Sequence, residues 1–245
     1  MRFSTAQSRC PLTINRDSTR RCVLTVAKCS LKIDFVSHEV YKAALRRWYY
    51  RPDVPVGKLV RLGVWEDGRL IGVVSFGPGS SSTLGQRFGC TPLESCELNR
   101  IALSSEHKTE VSRVIKIAVL MLRKQSPGVK VIVTFADPEA GHHGGVYQGA
   151  GWIYTGKTAD DKRYLYRGEW LHSRSVRASG SVIRPGGKRV PCPRPRDCER
   201  VESVPGKHRY VLALTPEVKA LVESARRDAP RPDQSPSSSV DSSTS

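Results

Sequence analysis

Apolar positions along this chain follow two rhythms. From Ser37 to Trp48 they fall at Val40, Ala44, Leu45 and Trp48, the three-and-four spacing of one helix face. Ser37 stands where a cap belongs, Glu39 lies in the first turn, and Pro52 closes the run after Trp48-Tyr49-Tyr50-Arg51. A second helical stretch runs from about Glu110 to Lys124, with Val111, Ile115, Ala118 and Leu122 on one side and Thr109 as the expected cap. Between them the rhythm is that of strands. KLVRLGVW and LIGVVSFG flank Glu66-Asp67-Gly68-Arg69, predicting a hairpin over residues 58–77 with an Asp-Gly type I′ turn. CELNRIAL, from Cys96 to Leu103, reads as a further strand, and the β-branched run from Lys130 to Ala136 as a buried central one. That run opens the block VKVIVTFADPEAGHHGGVYQGAGWIYTG, where a loop with Asp137, His142 and His143 leads into a short helix ending on Tyr147-x-x-x-Gly151-Trp152. Residues 163–167 and 209–214 are strand-like, and 216–226 helical.

The order helix, hairpin, strand, helix, strand, helix, strand predicts an α+β layered fold, a mixed central sheet flanked by helices. We divide the chain into a polar, aperiodic extension (1–29), a catalytic domain (30–168), a basic segment whose strand and helix pack on the core (169–228), and a Pro/Ser tail expected to be disordered (229–245). The Gly/Ser-rich stretch 77–95 is too long for a tight turn and reads as a functional loop.

Charge narrows the partners. The net charge is +17 over 245 residues, and the isoelectric point is near 9.9. A field of that size attracts polyanions, nucleic acid being the commonest inside cells, and a solubility charge or a disordered basic tail is the plainer alternative. Ten Lys/Arg against three acids fall between Arg174 and Arg209, interleaved with Pro, Gly, His208 and Tyr210. Arg184, Lys188, Arg189, Arg194 and Arg196 are the candidate contacts to the phosphate backbone. Seven cysteines without a paired framework suit a reducing compartment, and Cys192 and Cys198, separated by five residues, read as plain thiols. No run approaches the ~18 apolar residues of a membrane-spanning helix, and the N-terminal stretch lacks the apolar centre of a secretory leader.

Several residue types suggest chemistry. Alternation along CELNRIAL places Arg100 on one face with Leu98 and Ala102, and Glu97 with Asn99 on the other. Arg100 in a central strand needs a partner; an ion pair with Asp137 and a wall that binds phosphate are both open. Ser112 and Arg113 lie in the first turn of the helix after that strand, where backbone N–H groups attract anions; an ordinary capping pair is the plainer alternative. Asp137 ends the central strand, where open sheets gather ligands, although Asp-Pro also starts turns. Two histidines and a carboxylate also suit iron, a weaker expectation than base or hydrogen-bonding roles for His142 and His143. Three aromatics among arginines, Trp48-Tyr49-Tyr50 beside Arg46, Arg47 and Arg51, suit stacking on a base with phosphate clamps around it.

A strand feeding a helix that closes on Tyr147-x-x-x-Gly151-Trp152 resembles the back half of a GNAT-type acyltransferase, without that group's glycine-rich Gly-x-Gly loop. The longer wording ADP…GHHGGVYQ…GWIYTG, with Pro55-Val56-Gly57-Lys58-Leu59 and Glu97-x-x-Arg100, resembles the Mom family of phage DNA-adenine modification enzymes across about 33–166, and more loosely Gly206-Lys207-His208-Arg209-Tyr210. Mom-like sequences carry Trp-His-Tyr where this chain has Trp48-Tyr49-Tyr50. The resemblance implies a GNAT-like fold and transfer of a group from acetyl-CoA or a related acyl-CoA to adenine N6 in DNA, in the host cytoplasm. It implies Asp137, Tyr147 and Tyr49 as catalytic, with Tyr147 protonating the departing thiolate, and Arg100, Ser112 and Arg113 as holding the coenzyme. Trp48, Tyr50, Tyr154, His142 and His143 would surround the base. An acetyltransferase acting on a small amine or a protein, and a non-catalytic DNA-binding protein on the same fold, are the alternatives.

Overall fold

The computed structural model describes residues 30–50, 53–55, 57–79, 81–183 and 187–230. Its elements run β1 (Leu31–Phe35), α1 (His38–Trp48), β2 (Val60–Glu66), β3 (Arg69–Gly77), β4 (Ser95–Leu103), α2 (Val111–Gln125), β5 (Val131–Ala136), α3 (Gly145–Gly149) and β6 (Ile153–Lys157). Then follow β7 (Asp161–Tyr166), β8 (Glu169–His172), β9 (Ser181–Ile183), β10 (Arg189–Pro191), β11 (Arg200–Val204), β12 (His208–Ala213) and α4 (Pro216–Ser224).

Seven strands form one mixed sheet in the order β1-β2-β3-β4-β5-β12-β6. Every neighbouring pair is antiparallel except β4 with β5. A parallel pair needs a crossover, and α2 supplies it. Helices cover both faces, so the α+β layering expected from the sequence is the one that forms. Side chains of β5 alternate accordingly: Ile132 and Ala136 pack in the core under α2, Val131 and Val133 in the core under α4. The hairpin turn has φ of 49° at Asp67 and 78° at Gly68, both positive as type I′ requires.

Three local readings are corrected. The buried face of α1 is Tyr41, Ala44 and Leu45 while Val40 is exposed, because Tyr41 reaches between the strands to Ser75, hydroxyl to hydroxyl at 2.7 Å. The N-cap of α2 is Glu110, without a side-chain bond; Thr109 is buried, and its N–H and that of Lys108 donate to the Glu66 carboxylate at 2.7 and 2.9 Å. The alternation along β4 also breaks. Leu98 pairs with Phe76 and Arg100 with Ser75, so Asn99 is an inserted residue, a bulge. Leu98 therefore packs under α2, whereas Ala102 packs under α1.

A second, three-stranded sheet, β11-β7-β8, and the β9–β10 hairpin carry most of the basic segment. The division drawn at 168 falls between β7 and β8, inside this sheet. The chain then returns: β12 inserts between β5 and β6, and α4 packs on it. Among the described residues no helix is long and apolar enough to cross a membrane.

Candidate active site

β4 and β5 are paired only from Ser95 to Glu97 and from Val131 to Val133. Beyond that they part, bridged by Thr134, whose hydroxyl donates to the Leu98 carbonyl at 3.1 Å. The cleft they open has a volume of about 1570 Å³. One wall is β4 from Glu97 to Ile101, the other β5 from Thr134 through the Asp137–Tyr147 loop, and the accessory sheet closes the rim. Asn99 and Arg100 each bury a polar atom, Oδ1 and Nε, with no hydrogen-bonding partner among the described residues. The Arg100 guanidinium is held to its own strand, Nη1 donating to the Asn99 carbonyl at 2.8 Å.

Tyr49, Tyr50, Arg100, Asp137, His142, His143 and Tyr147 are brought together here from three separate stretches. The Arg100 guanidinium lies 5.1 Å from the Tyr49 ring, Tyr49 packs on Tyr50 at 4.6 Å between centroids, and Tyr50 on His142 at 5.8 Å. Burial pushes the Tyr49 phenol above its ordinary value, opposed by the Arg100 charge. Tyr147 sits deeper, between Trp152 and Tyr210. Burial raises its phenol too, although a hydrogen bond with Thr134 works in the opposite sense. A tyrosine in that setting keeps its proton.

Asp137 is buried at the end of β5. Its Oδ1 accepts from the Glu139 N–H at 3.2 Å, and Lys207 Nζ lies 2.9 Å from Oδ2. Its cation is thus Lys207 and not Arg100. Lys207 is itself held firmly: its N–H donates to Thr158 Oγ1, and its carbonyl accepts from the Thr158 N–H, both at 2.9 Å. Gly206 packs so closely on the Thr158 carbonyl that a Cβ would overlap it. The loop after Asp137 is tied to β12, since the Tyr210 O–H donates to the His143 carbonyl at 2.6 Å. Gly144, at φ 84°, lies where any side chain would strike the Tyr210 ring.

The other candidates lie elsewhere. Trp48 turns from the cleft and packs on the α1 core, with the Arg47 guanidinium 5.4 Å from its ring. Tyr154 is buried, its hydroxyl 3.1 Å from His208 Nδ1 and its ring 5.2 Å from Tyr210. Of the α2 start only Val111 lines the cleft; Ser112 and Arg113 do not. Lys188, Arg189 and Arg196 are exposed and Arg194 half-buried, all in or after the β9–β10 hairpin; Arg184 lies outside the described residues. Among the described residues no group of three or more His, Cys, Asp or Glu is placed to hold a metal ion. Lys207, Asn99, Arg163 and Trp170 were not singled out from the sequence, yet all line the cleft. Lys207 alone carried a signal, its place in the Gly206–Tyr210 match.

A family model described as the Mom protein family matches residues 30–231. The methylcarbamoylase mom of Escherichia phage Mu is 27% identical over 165 residues, and the match spans 65% of this chain and 65% of that protein's length. Among solved structures, a Bacillus subtilis acetyltransferase in complex with CoA superposes with a TM-score of 0.44 at 13% identity, over 77% of this chain and 100% of that one. The IAA acetyltransferase of Bacillus cereus gives 0.43 at 13%, over 76% and 100%.

Proposed function

This chain belongs to the Mom protein family, and from that premise we propose that it transfers an acyl-derived group from a coenzyme A thioester to adenine N6 in double-stranded DNA, protecting phage DNA from host restriction. The observation that carries this reading is the parting of β4 and β5, which opens a cleft that Tyr49, Tyr50, Asp137 and Tyr147 all line. An extended arm with amide groups fits such a slot, since strands that part leave backbone donors and acceptors on their facing edges. A bound thioester supplies an activated acyl carbon; the protein residues do the rest. The N-terminus of α2 meets the cleft at Val111, and Ser112 and Arg113 serve there only as first-turn neighbours of a bound anion.

The amino group of adenine is conjugated, stacked and paired, so the base must leave the duplex. Tyr49, Tyr50 and His142 form the aromatic wall that receives it. As the nitrogen–carbon bond forms and the carbon–sulfur bond breaks, Asp137 takes the proton from nitrogen and Tyr147 gives one to the leaving sulfur. Lys207 Nζ, 2.9 Å from Oδ2, orients Asp137 for that role, and burial keeps Tyr147 protonated for its own. The exposed cations in and after the β9–β10 hairpin, Lys188, Arg189 and Arg196, support DNA over a small amine as acceptor.

The test is mass spectrometry of nucleosides from the DNA of cells expressing the protein. A new deoxyadenosine derivative, lost in Tyr147→Phe, is the expected result. Unmodified deoxyadenosine alongside a coenzyme-induced thermal shift would move the acceptor from DNA to another amine.

A further inference from the structure

Besides the Tyr50–His142 pair, the lining of the cleft carries a second aromatic plane. Trp170 on β8 is 42% exposed, and the Arg163 guanidinium of the neighbouring β7 lies 4.7 Å from its ring. The register places Leu165 opposite Trp170 and Arg163 opposite His172, so indole and guanidinium are diagonal neighbours. Arg163 does not move freely. Its Nε and Nη2 donate to Glu202 of β11 at 2.8 and 2.6 Å, and Nη1 to Glu139 of the loop after Asp137 at 3.3 Å. One side chain thus clamps the accessory sheet to the candidate catalytic loop and props up the indole.

Two carboxylates occupy that guanidinium, so what this corner presents to a ligand is the indole and not the charge. Two further cations, Lys162 and Arg174, both exposed, line the same rim, with Asp160 and Asp161 among them. A fixed, half-exposed aromatic plane flanked by cations fits a nucleobase whose phosphates those cations hold. We propose that Trp170 is a stacking platform for an unstacked nucleobase of DNA next to the target adenine, holding open the gap the flipped base leaves. The proposal rests on the reading of the cleft as a DNA-modifying site, and it assigns the accessory sheet a positioning role in binding.

The experiment uses the full chain and a duplex carrying 2-aminopurine beside a target adenine. Trp170→Ala removes the stacking plane and should weaken duplex binding roughly tenfold, leave acetyl-CoA binding unchanged and abolish the change in 2-aminopurine fluorescence. Trp170→Phe should restore most of the affinity, because a phenyl ring still stacks. Wild-type affinity and fluorescence in Trp170→Ala overturns the proposal. So does a loss that Trp170→Phe does not recover, which assigns the indole to packing or to a protein partner. Should Trp170→Ala not fold, Trp170→Phe against wild type decides, since the DNA-induced quenching of tryptophan emission must fall in it. Failure of the broader reading looks different: duplex binding would depend on Trp170 while the wild type yields no modified adenine.

Discussion

Replacing Lys207 by Met removes the cation from a buried carboxylate and keeps the length of the side chain. The Asp137 side chain is 4% exposed, that of Lys207 38%, and the charges are 2.9 Å apart. Breaking a fully buried pair costs about 3–5 kcal/mol; breaking a surface pair costs about 1 kcal/mol or less. With one partner buried and the other a third exposed, the expected loss is about 2 kcal/mol, a fall in Tm of roughly 4–8 °C for a domain of this size. Relaxation of the backbone should not recover it, because Thr158 holds Lys207 on both its N–H and its carbonyl. The assay is urea unfolding of wild type, Lys207→Met, Asp137→Asn and the double variant. The cost lies in an unpaired charge, so adding Asp137→Asn to Lys207→Met should return much of the lost stability. Group transfer should be lost in Lys207→Met even at temperatures where it is folded, and partly return in Lys207→Arg. If the two substitutions add without coupling, or transfer survives in Lys207→Met, the pair does not organise the site.

Arg100→Ala should lower acetyl-CoA affinity in calorimetry without unfolding the protein; unchanged binding would move the coenzyme away from β4. Tyr154→Phe removes a buried hydrogen bond to His208 and should cost about 1 kcal/mol in urea unfolding while leaving DNA affinity at the wild-type value; loss of base recognition would return Tyr154 to the base pocket. Neutralising Lys188, Arg189, Arg194 and Arg196 together should weaken duplex binding and flatten log affinity against log salt, with the modified base unchanged; an unaltered slope would detach the hairpin from DNA. Glu94, bonded to Lys130 at 2.6 Å and to Thr91, is depressed from an ordinary 4.5 to about 2. A depressed carboxyl stabilises the fold above its unfolded value, and that contribution disappears as pH falls through the folded one. The deficit in Tm of Glu94→Gln should therefore be full at pH 7, shrink below pH 4.5 and vanish near pH 2; a constant deficit would assign it to packing.

What could be read from the chain alone is what short-range physics decides. The Asp67-Gly68 turn needs two positive φ values and the sequence places there a pair that tolerates them. The apolar spacing of α2 marks its buried face within four turns, and the run before Asp137 is β-branched enough to be central. The block around Tyr147 identified the family by its wording, and Tyr49, Tyr50, Arg100, Asp137, His142, His143 and Tyr147 do meet in one cleft. Strands β1 and β8–β11 carried too little periodicity to be read, being short and lying on an edge of the main sheet or in the small accessory sheets. Other features depend on contacts between distant segments. Asn99 is a bulge only because Phe76 and Ser75 pair with the residues on either side of it, and that pairing turns Leu98 and Ala102 to opposite faces. Which tyrosine faces the cleft and which fills the core follows from β12 entering between β5 and β6, where His208 meets Tyr154 and Tyr210 closes over Gly144. The same insertion brings Lys207 to Asp137 across 70 residues of chain. No local pattern encodes that pair, because a buried carboxylate selects its cation by position in space.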